Sequence, residues 1–454
     1  MFDVTAVKKH KITLTDYDYQ RDIENRLLLS QFSEFDHAVL EEILFSPIRT
    51  PLRKMAKNLN CAEEALLPVL EKLSKTGLLV IEGDTVVVDK EVRKYFEIEM
   101  EKFEDDFTPG MEFLHHLLKK IPIHVLPAWY SIPRTSNNIF DSVIEKYLLT
   151  PQIFQRHLLD INFGNPIISA IAQEVFSSPD LEVPAKQLIK KFQISQEQFH
   201  EYMLVLELHF VCCLRYHKNS KGWEEKVSPF HEWRDYQKFL KTTNPVSISN
   251  PAKVDRFRPH DFSFVEDLST LLQFARKQPL SSSVFDTLAK KLPEMNRGES
   301  YLEQLLDKLH LLKLIENDGF ASTAAAEWLE MRLENRALYL YRHTANRVRS
   351  APQATEKLIR EAEKSITRAI HSDWVLFDDF IKGVVVPLGD HPPVSLKKGG
   401  KHWKYARPEY TPDERQLIHD VVFEWLFEAG ITAIGTYQDK ECFMVTPFGQ
   451  SLFG

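Results

Sequence analysis

Residues 35–88, FDHAVLEEILFSPIRTPLRKMAKNLNCAEEALLPVLEKLSKTGLLVIEGDTVVV, confine the fold more tightly than any other part of the chain. Val39, Leu40, Ile43 and Leu44 recur at helical spacing and make one apolar stripe on a first helix. Ser46-Pro47 ends it, because the residue before a proline is pushed out of the helical region. Thr50 and Pro51 read as the cap and first position of a second helix, which buries Leu52, Met55, Ala56 and Leu59 and exposes Arg53, Lys54 and Lys57. Asn60 and Glu63 have the spacing of a capping box for a third helix, with Ala65, Leu66, Val69, Leu70 and Leu73 on its buried face. Pro68 lies inside that helix, where it removes a backbone hydrogen bond and crowds Glu64, so a kink or a late start is expected. Gly77 closes the helix, and Leu78–Ile81 and Thr85–Val88 form a hairpin about Glu82-Gly83-Asp84.

The order helix, helix, helix, strand, turn, strand returns three times. Within 165–241 it reads as Ile167–Phe176, Val183–Phe192, a third helix capped by Ser195 with Gln198 three residues on, and strands Leu208–His217 and Trp223–Val227. Within 261–350 it reads as Phe264–Phe274, Ser283–Leu292, Ser300–Leu312 and a short hairpin about Asn317-Asp318, followed by a long helix from Ser322 through Arg347. The divergent copy in 351–454 has helices Glu356–His371 and Phe377–Val386, a basic insertion at Asp390–Pro408, a third helix Glu414–Ala429 and strands Ile431–Tyr437 and Glu441–Val445. After each second strand stands Asp89, Ser228-Pro229, Ser322-Thr323 or Thr446-Pro447, every one suited to cap a following helix. The expected layout is an N-terminal segment plus module 1 (1–110), a helical bridge (111–164), module 2 (165–241), a Pro/Ser/Asn-rich linker (242–260), module 3 (261–350) and module 4 (351–454).

This element order, with LEKLSKTGLLVIEGDTVVV and the similar endings elsewhere, resembles winged-helix (winged helix-turn-helix) domains over about half of the chain. The resemblance implies a fold that is mainly α with small β-hairpins, an α+β chain of tandem winged-helix-like modules joined by helical bridges. It also implies two uses: DNA binding, with the third helix entering the major groove, or service as scaffold modules of chromosome-organising and sorting complexes.

Composition bears on that choice. At 43% apolar and 27% charged over 454 residues, the chain has the make-up of a globular protein. Its net charge of −8 runs against wholesale coating of nucleic acid, so any phosphate contact must be local. Cys61, Cys212, Cys213 and Cys442 are scattered, which makes no disulfide framework and points to a reducing cytoplasm. No stretch is long and apolar enough to serve as a membrane span, so membrane partners are not expected.

The densest functional stretch is KKGGKHWKYAR, in which Lys397, Lys398, Lys401, Lys404 and Arg407 surround Trp403 and Tyr405. Cations can meet phosphates while the aromatic rings stack on bases. The competing reading is a surface loop whose Trp403 packs back onto its domain. Arg53, Lys54 and Lys57 offer further phosphate contacts, and Arg332, Arg336, Arg342, Arg347 and Arg349 are diluted by neighbouring glutamates. The third helices expose Glu63, Glu64, Glu71, Lys72 and Lys75 in module 1, Gln196, Glu197, His200 and Glu201 in module 2, and Glu299, Glu303, Asp307 and Lys308 in module 3, which is a poor set of base readers. His209, Cys212, Cys213 and His217 invite a zinc site, but a buried strand explains them better. No catalytic or cofactor motif is present, so the expectation is a non-enzymatic chain with no cofactor or metal. It is expected to contact double-stranded DNA with weak sequence preference, or alternatively to act as a protein-protein interaction scaffold.

Overall fold

A computed structural model describes residues 12–454 apart from 134–137, 220–221, 281–298, 346–347, 349–352, 391 and 401. The chain divides into two compact units, one reaching to Gln237 and including Ser395–Ala406, the other made of Lys238–Val394 and Arg407–Gly454. The class is mainly α with small antiparallel sheets.

In the first unit, α1 (Tyr19–Ser30) precedes α2 (Glu34–Phe45), β1 (Arg49–Pro51), α3 (Leu52–Asn58), α4 (Glu63–Ser74), β2 (Leu79–Glu82), β3 (Thr85–Val88) and α5 (Lys90–Met100). Apolar stripes set the packing, and polar caps set the ends. Ser33 and Asp36 cap α2 reciprocally, and Asp89 accepts from the amides of Glu91 and Val92 to start α5. A helical stretch of α6 (Met111–Lys119), α7 (Leu126–Trp129), α8 (Ile139–Val143) and α9 (Pro151–Asp160) follows. Next come α10 (Pro166–Ser177), β4 (Val183–Pro184), α11 (Ala185–Phe192), α12 (Gln196–Leu208), β5 (Cys212–Asn219), β6 (Gly222–Pro229) and α13 (His231–Thr242). One apolar core runs from Leu29 to Val227 through both of these segments.

The second unit holds β7 (Asp255–Arg256), α14 (Ser263–Ala275), α15 (Glu299–Leu311), α16 (Thr323–Glu330), α17 (Leu333–Thr344), α18 (Glu356–Glu363), β8 (Val375–Leu376) and α19 (Phe377–Ile381). The hairpin β9 (Ser395–Gly399) and β10 (His402–Ala406) interrupts it in sequence and belongs to the first unit. The second unit resumes with α20 (Pro412–Asp420), which continues through a π-helical turn Val421–Trp425 and Leu426–Glu428. It ends with β11 (Thr432–Tyr437), β12 (Lys440–Val445) and α21 (Pro447–Phe453).

Three segments share one connectivity. A short strand between the first and second helices pairs antiparallel with the last strand of the hairpin: β1 with β3, β4 with β6, and β8 with β12. None of these first strands is anticipated by sequence pattern, because two or three residues carry no alternation. Thr50 and Pro51 therefore lie in β1, with Pro51 and not Thr50 at the N-cap position of α3, and Thr50 Oγ1 donates to Pro47 O at 2.8 Å. In the segment following α14 the hairpin shrinks to a single bridge, Ile315 to Ala321, and the expected helix at Ser283–Leu292 lies outside the described residues.

Other expectations need correction. Asn60 does not cap α4: it sits in the left-handed region at φ 51, the helix begins at Glu63, and Ala65 faces solvent. The late start leaves Pro68 inside an otherwise continuous helix. The 242–260 stretch is not a free linker, since Ile248 N donates to Trp374 O at 2.7 Å and Asp255–Arg256 forms the edge strand beside β11. The long helix from Ser322 breaks at Met331-Arg332, where the Arg336 guanidinium takes the carbonyls of Trp328 (3.1 Å) and Leu329 and so satisfies the last turn of α16. The basic insertion is a regular hairpin, with Lys397 opposite Lys404 and Lys398 opposite Trp403.

Candidate nucleic-acid interface

Backbone pairing of β9 with β10 aims alternate residues of KKGGKHWKYAR to opposite sides. Lys397, Lys398, Lys404 and Arg407 are exposed, while Lys401 lies outside the described residues. The aromatics turn inward. The Tyr405 hydroxyl donates to Leu148 O at 2.9 Å, and its ring lies 5.5 Å from that of Tyr236 and 6.3 Å from that of Trp233. Trp403 is half-buried and meets Phe140 edge-on at 6.2 Å. The hairpin backbone is tied down as well, through Leu396 N donating to Leu149 O at 2.7 Å. Tyr405 is thus a buried anchor whose ring is not free to stack on a base, which corrects that expectation for Tyr405, and Trp403 is half-buried. Arg407 lies 4.2 Å over the Phe239 ring.

Arg53, Lys54 and Lys57 are exposed on α3, as expected. Beside them α4 presents Glu63, Glu64, Leu67 and Glu71 to solvent, and its Lys72 pairs with Asp36 at 3.3 Å. The other third helices are covered in part: Glu197 of α12 and Glu303 and Asp307 of α15 are exposed. On α12, His200 is fully buried with Nε2 3.2 Å from Glu225 and therefore is not the exposed residue expected. On α15, Lys308 is likewise buried, 2.8 Å from Glu428.

A charge network encloses the last turn of α12. Arg26 on α1 reaches Asp22 (2.9 Å) and Glu207 of α12 (2.8 Å); Lys102 reaches Glu207 (3.1 Å) and Glu99 (3.2 Å); Lys120 reaches Glu99 and, at 3.6 Å, Asp22. All six side chains are at most 4% exposed. Three cations balance three carboxylates, and the Leu214 amide donates to Glu207 at 3.1 Å, so the buried ions are compensated. Burial alone would raise the Asp22 carboxyl, but Arg26 and then Lys120 outweigh it and hold it at about 2. Burial opposes ionisation of Glu99 and Glu207 too; Lys102 leads in holding Glu99 well below its ordinary value, and Arg26 leads for Glu207.

The residues of the suggested zinc site do not converge: His217 is exposed, while the two cysteines are enclosed. Cys212 and Cys213 are both fully buried, and burial pushes both thiols up. His209 lies at the end of α12, where its Nδ1 meets Val205 O at 2.8 Å. Among the described residues, no group of three or more His, Cys, Asp or Glu side chains is arranged to hold a metal ion, and no helix is long and apolar enough to cross a membrane.

Sequence spacing gave no hint of His419. Its Nε2 lies 3.0 Å from Glu441 and its Nδ1 3.2 Å from Asp420, and its ring stacks on Phe423 at 4.4 Å. Burial lowers its pKa, but the bond to Asp420 and the Glu441 charge win and raise it. Both ring nitrogens are thus within hydrogen-bond distance of carboxylates.

No family model matches this chain, and neither does any curated protein or solved structure.

Proposed function

We propose that this chain is a non-enzymatic protein-interaction scaffold built from winged-helix-like modules. The helix–strand–helix–helix–hairpin connectivity with a first strand joined to the last is the order of a winged helix. The observation that carries the reading is the burial of α12 beyond its first turn, where the exposed Glu197 is acidic. A helix that reads a major groove needs a free face, and this one has its middle and last turns enclosed, with Glu207 held by Arg26 and Lys102. α4 has a broad free face on which Glu63, Glu64 and Glu71 stand with Lys72 and Lys75 around an apolar centre: Leu67 is 40% exposed, and beside it the edge strand β2 shows Val80 at 56% and Ile81 at 37%. Exposed apolar residues rimmed by charges of both signs suit a protein partner.

Double-stranded DNA remains a second reading because of one feature, the exposed Lys397 directly opposite the exposed Lys404. Like charges across a ladder destabilise it, and an anion between them would relieve the repulsion. A photo-crosslinking residue placed at Leu67 or Val80 tests the first reading in cells. A discrete protein adduct at these positions, absent when the probe replaces exposed Leu159, is expected. Nucleic-acid adducts, or salt-sensitive duplex binding that disappears when Lys397, Lys398 and Lys404 become Ala, would overturn it in favour of DNA.

A further inference from the structure

We infer that the cleft between α2, α5 and the β5–β6 hairpin takes an arginine-bearing peptide of a protein partner. The cleft encloses about 720 Å³ within the first unit, in the range of a site that grips a few side chains. Its floor is aromatic. Phe103 stacks on Tyr216 at 3.8 Å, and Trp223 meets Phe103 edge-on at 5.2 Å. Its rim is acidic. Glu41, Glu104 and Asp105 line it, are exposed, and have no ion-pair partner among the described residues. An apolar floor under unpaired carboxylates calls for a group that is flat, greasy on its faces and cationic. A guanidinium meets that description better than an ammonium, because it stacks on an indole and offers a fork of donors to carboxylates.

Trp223 and His37 line the cleft, with Trp223 Nε1 and His37 Nε2 shielded from solvent and without a hydrogen-bond partner among the described residues. The planar guanidinium of an arginine peptide can lie flat on the indole, which the ammonium groups of a small polyamine cannot. The chain's own Lys218 already shows the binding mode in miniature, with its ammonium 3.4 Å from Glu34 and 5.8 Å from the Trp223 ring centre.

This inference rests on the scaffold reading but concerns a different face from α4, so each can fail alone. The test is fluorescence anisotropy of the full chain with a short labelled peptide alternating arginine and leucine, and with its glutamate-for-arginine counterpart. Saturable, salt-weakened binding of the arginine peptide alone is expected. The E41Q/E104Q/D105N variant, whose changed side chains are solvent-exposed, should lose about ten-fold or more in affinity. W223F replaces the indole with a smaller ring of weaker cation-binding face, and should weaken binding about three-fold or more. No binding at low salt, or equal binding by the three-site variant, would overturn the inference. Displacement by spermidine as effectively as by unlabelled peptide would also overturn it, by showing a small-cation site. A lost α4 crosslink with intact peptide binding would instead count against the α4 face alone.

Discussion

Arg26→Met is the sharpest perturbation of the first unit. Arg26 is 1% exposed and bonds Asp22 at 2.9 Å and Glu207 at 2.8 Å. Its removal leaves Asp22, Glu99 and Glu207 facing only Lys102 and Lys120, one uncompensated negative charge in a region closed to water. Methionine fills most of the aliphatic volume, so the cavity contribution is minor and the broken ion pairs dominate, at ~3–5 kcal/mol. Adding Glu207→Met restores charge balance, and the double variant should recover ~1–3 kcal/mol relative to the sum of the single changes. A chain of two units need not unfold in one step, so hydrogen exchange of amides in α1 and α12 is the appropriate readout. A loss of ~3 kcal/mol corresponds to exchange about a hundred-fold faster in that region. The pH dependence has a definite sign. Because Asp22 is held at about 2 against an ordinary 3.8, its stabilisation is complete above its ordinary value and is lost as pH falls toward 2. In Arg26→Met the surplus carboxylate can instead take up a proton, so the deficit relative to wild type should shrink on mild acidification. Exchange changed by less than about ten-fold, or a strictly additive double variant, would refute the account.

Tyr405→Phe removes the hydroxyl bond to Leu148 O and should cost about 1 kcal/mol, seen as earlier proteolytic cutting of the β9–β10 hairpin; Tyr405→Ala should cost ~3–5 kcal/mol. Gly435→Ala would place a Cβ 2.6 Å from Asp255 O, so β7 should detach from β11, with faster amide exchange at Phe257, whose amide bonds Ile434 O. Glu232 is pushed up to about 7, chiefly by burial, with its carboxylate accepting from the Met111 amide. A raised acid favours the fold below its ordinary 4.5 and loses that contribution as pH rises through about 7, so Glu232→Gln should flatten the decline in first-unit thermal stability between mildly acid and neutral pH. His419 titrates above its ordinary 6.5; its contribution is present below that value and lost as pH rises through the raised one, which the histidine ring resonances in NMR would follow and Glu441→Gln would shift downward.

Helices and hairpins were legible in the sequence because their cues are local. The stripe of Val39, Leu40, Ile43 and Leu44 is fully buried, and Ser195 with Gln198 forms the capping box that their spacing implies. Cues that depend on distant partners were not legible. Asn60 and Glu63 have the same spacing as Ser195 and Gln198, yet Asn60 takes a left-handed turn and α4 begins at Glu63. The first strands are too short to show a period, and their existence depends on β3, β6 and β12 offering a free edge. Trp403 and Tyr405 have the composition of a base-stacking loop, but whether a ring faces solvent is decided by Phe140, Trp233 and Tyr236, which lie far away in sequence. The charge network is the clearest case. Asp22 and Arg26 are spaced as a surface i,i+4 pair, which contributes a few tenths of a kcal/mol when solvated. Only the arrival of Glu207 from 181 residues away turns that pair into a buried polar centre. The same contact withdraws the last turn of α12 from solvent, so a residue with no functional signal in the sequence fixes how that helix is seated. A test of function should therefore start from Glu207 and the free face of α4, and not from the lysines that composition brings forward.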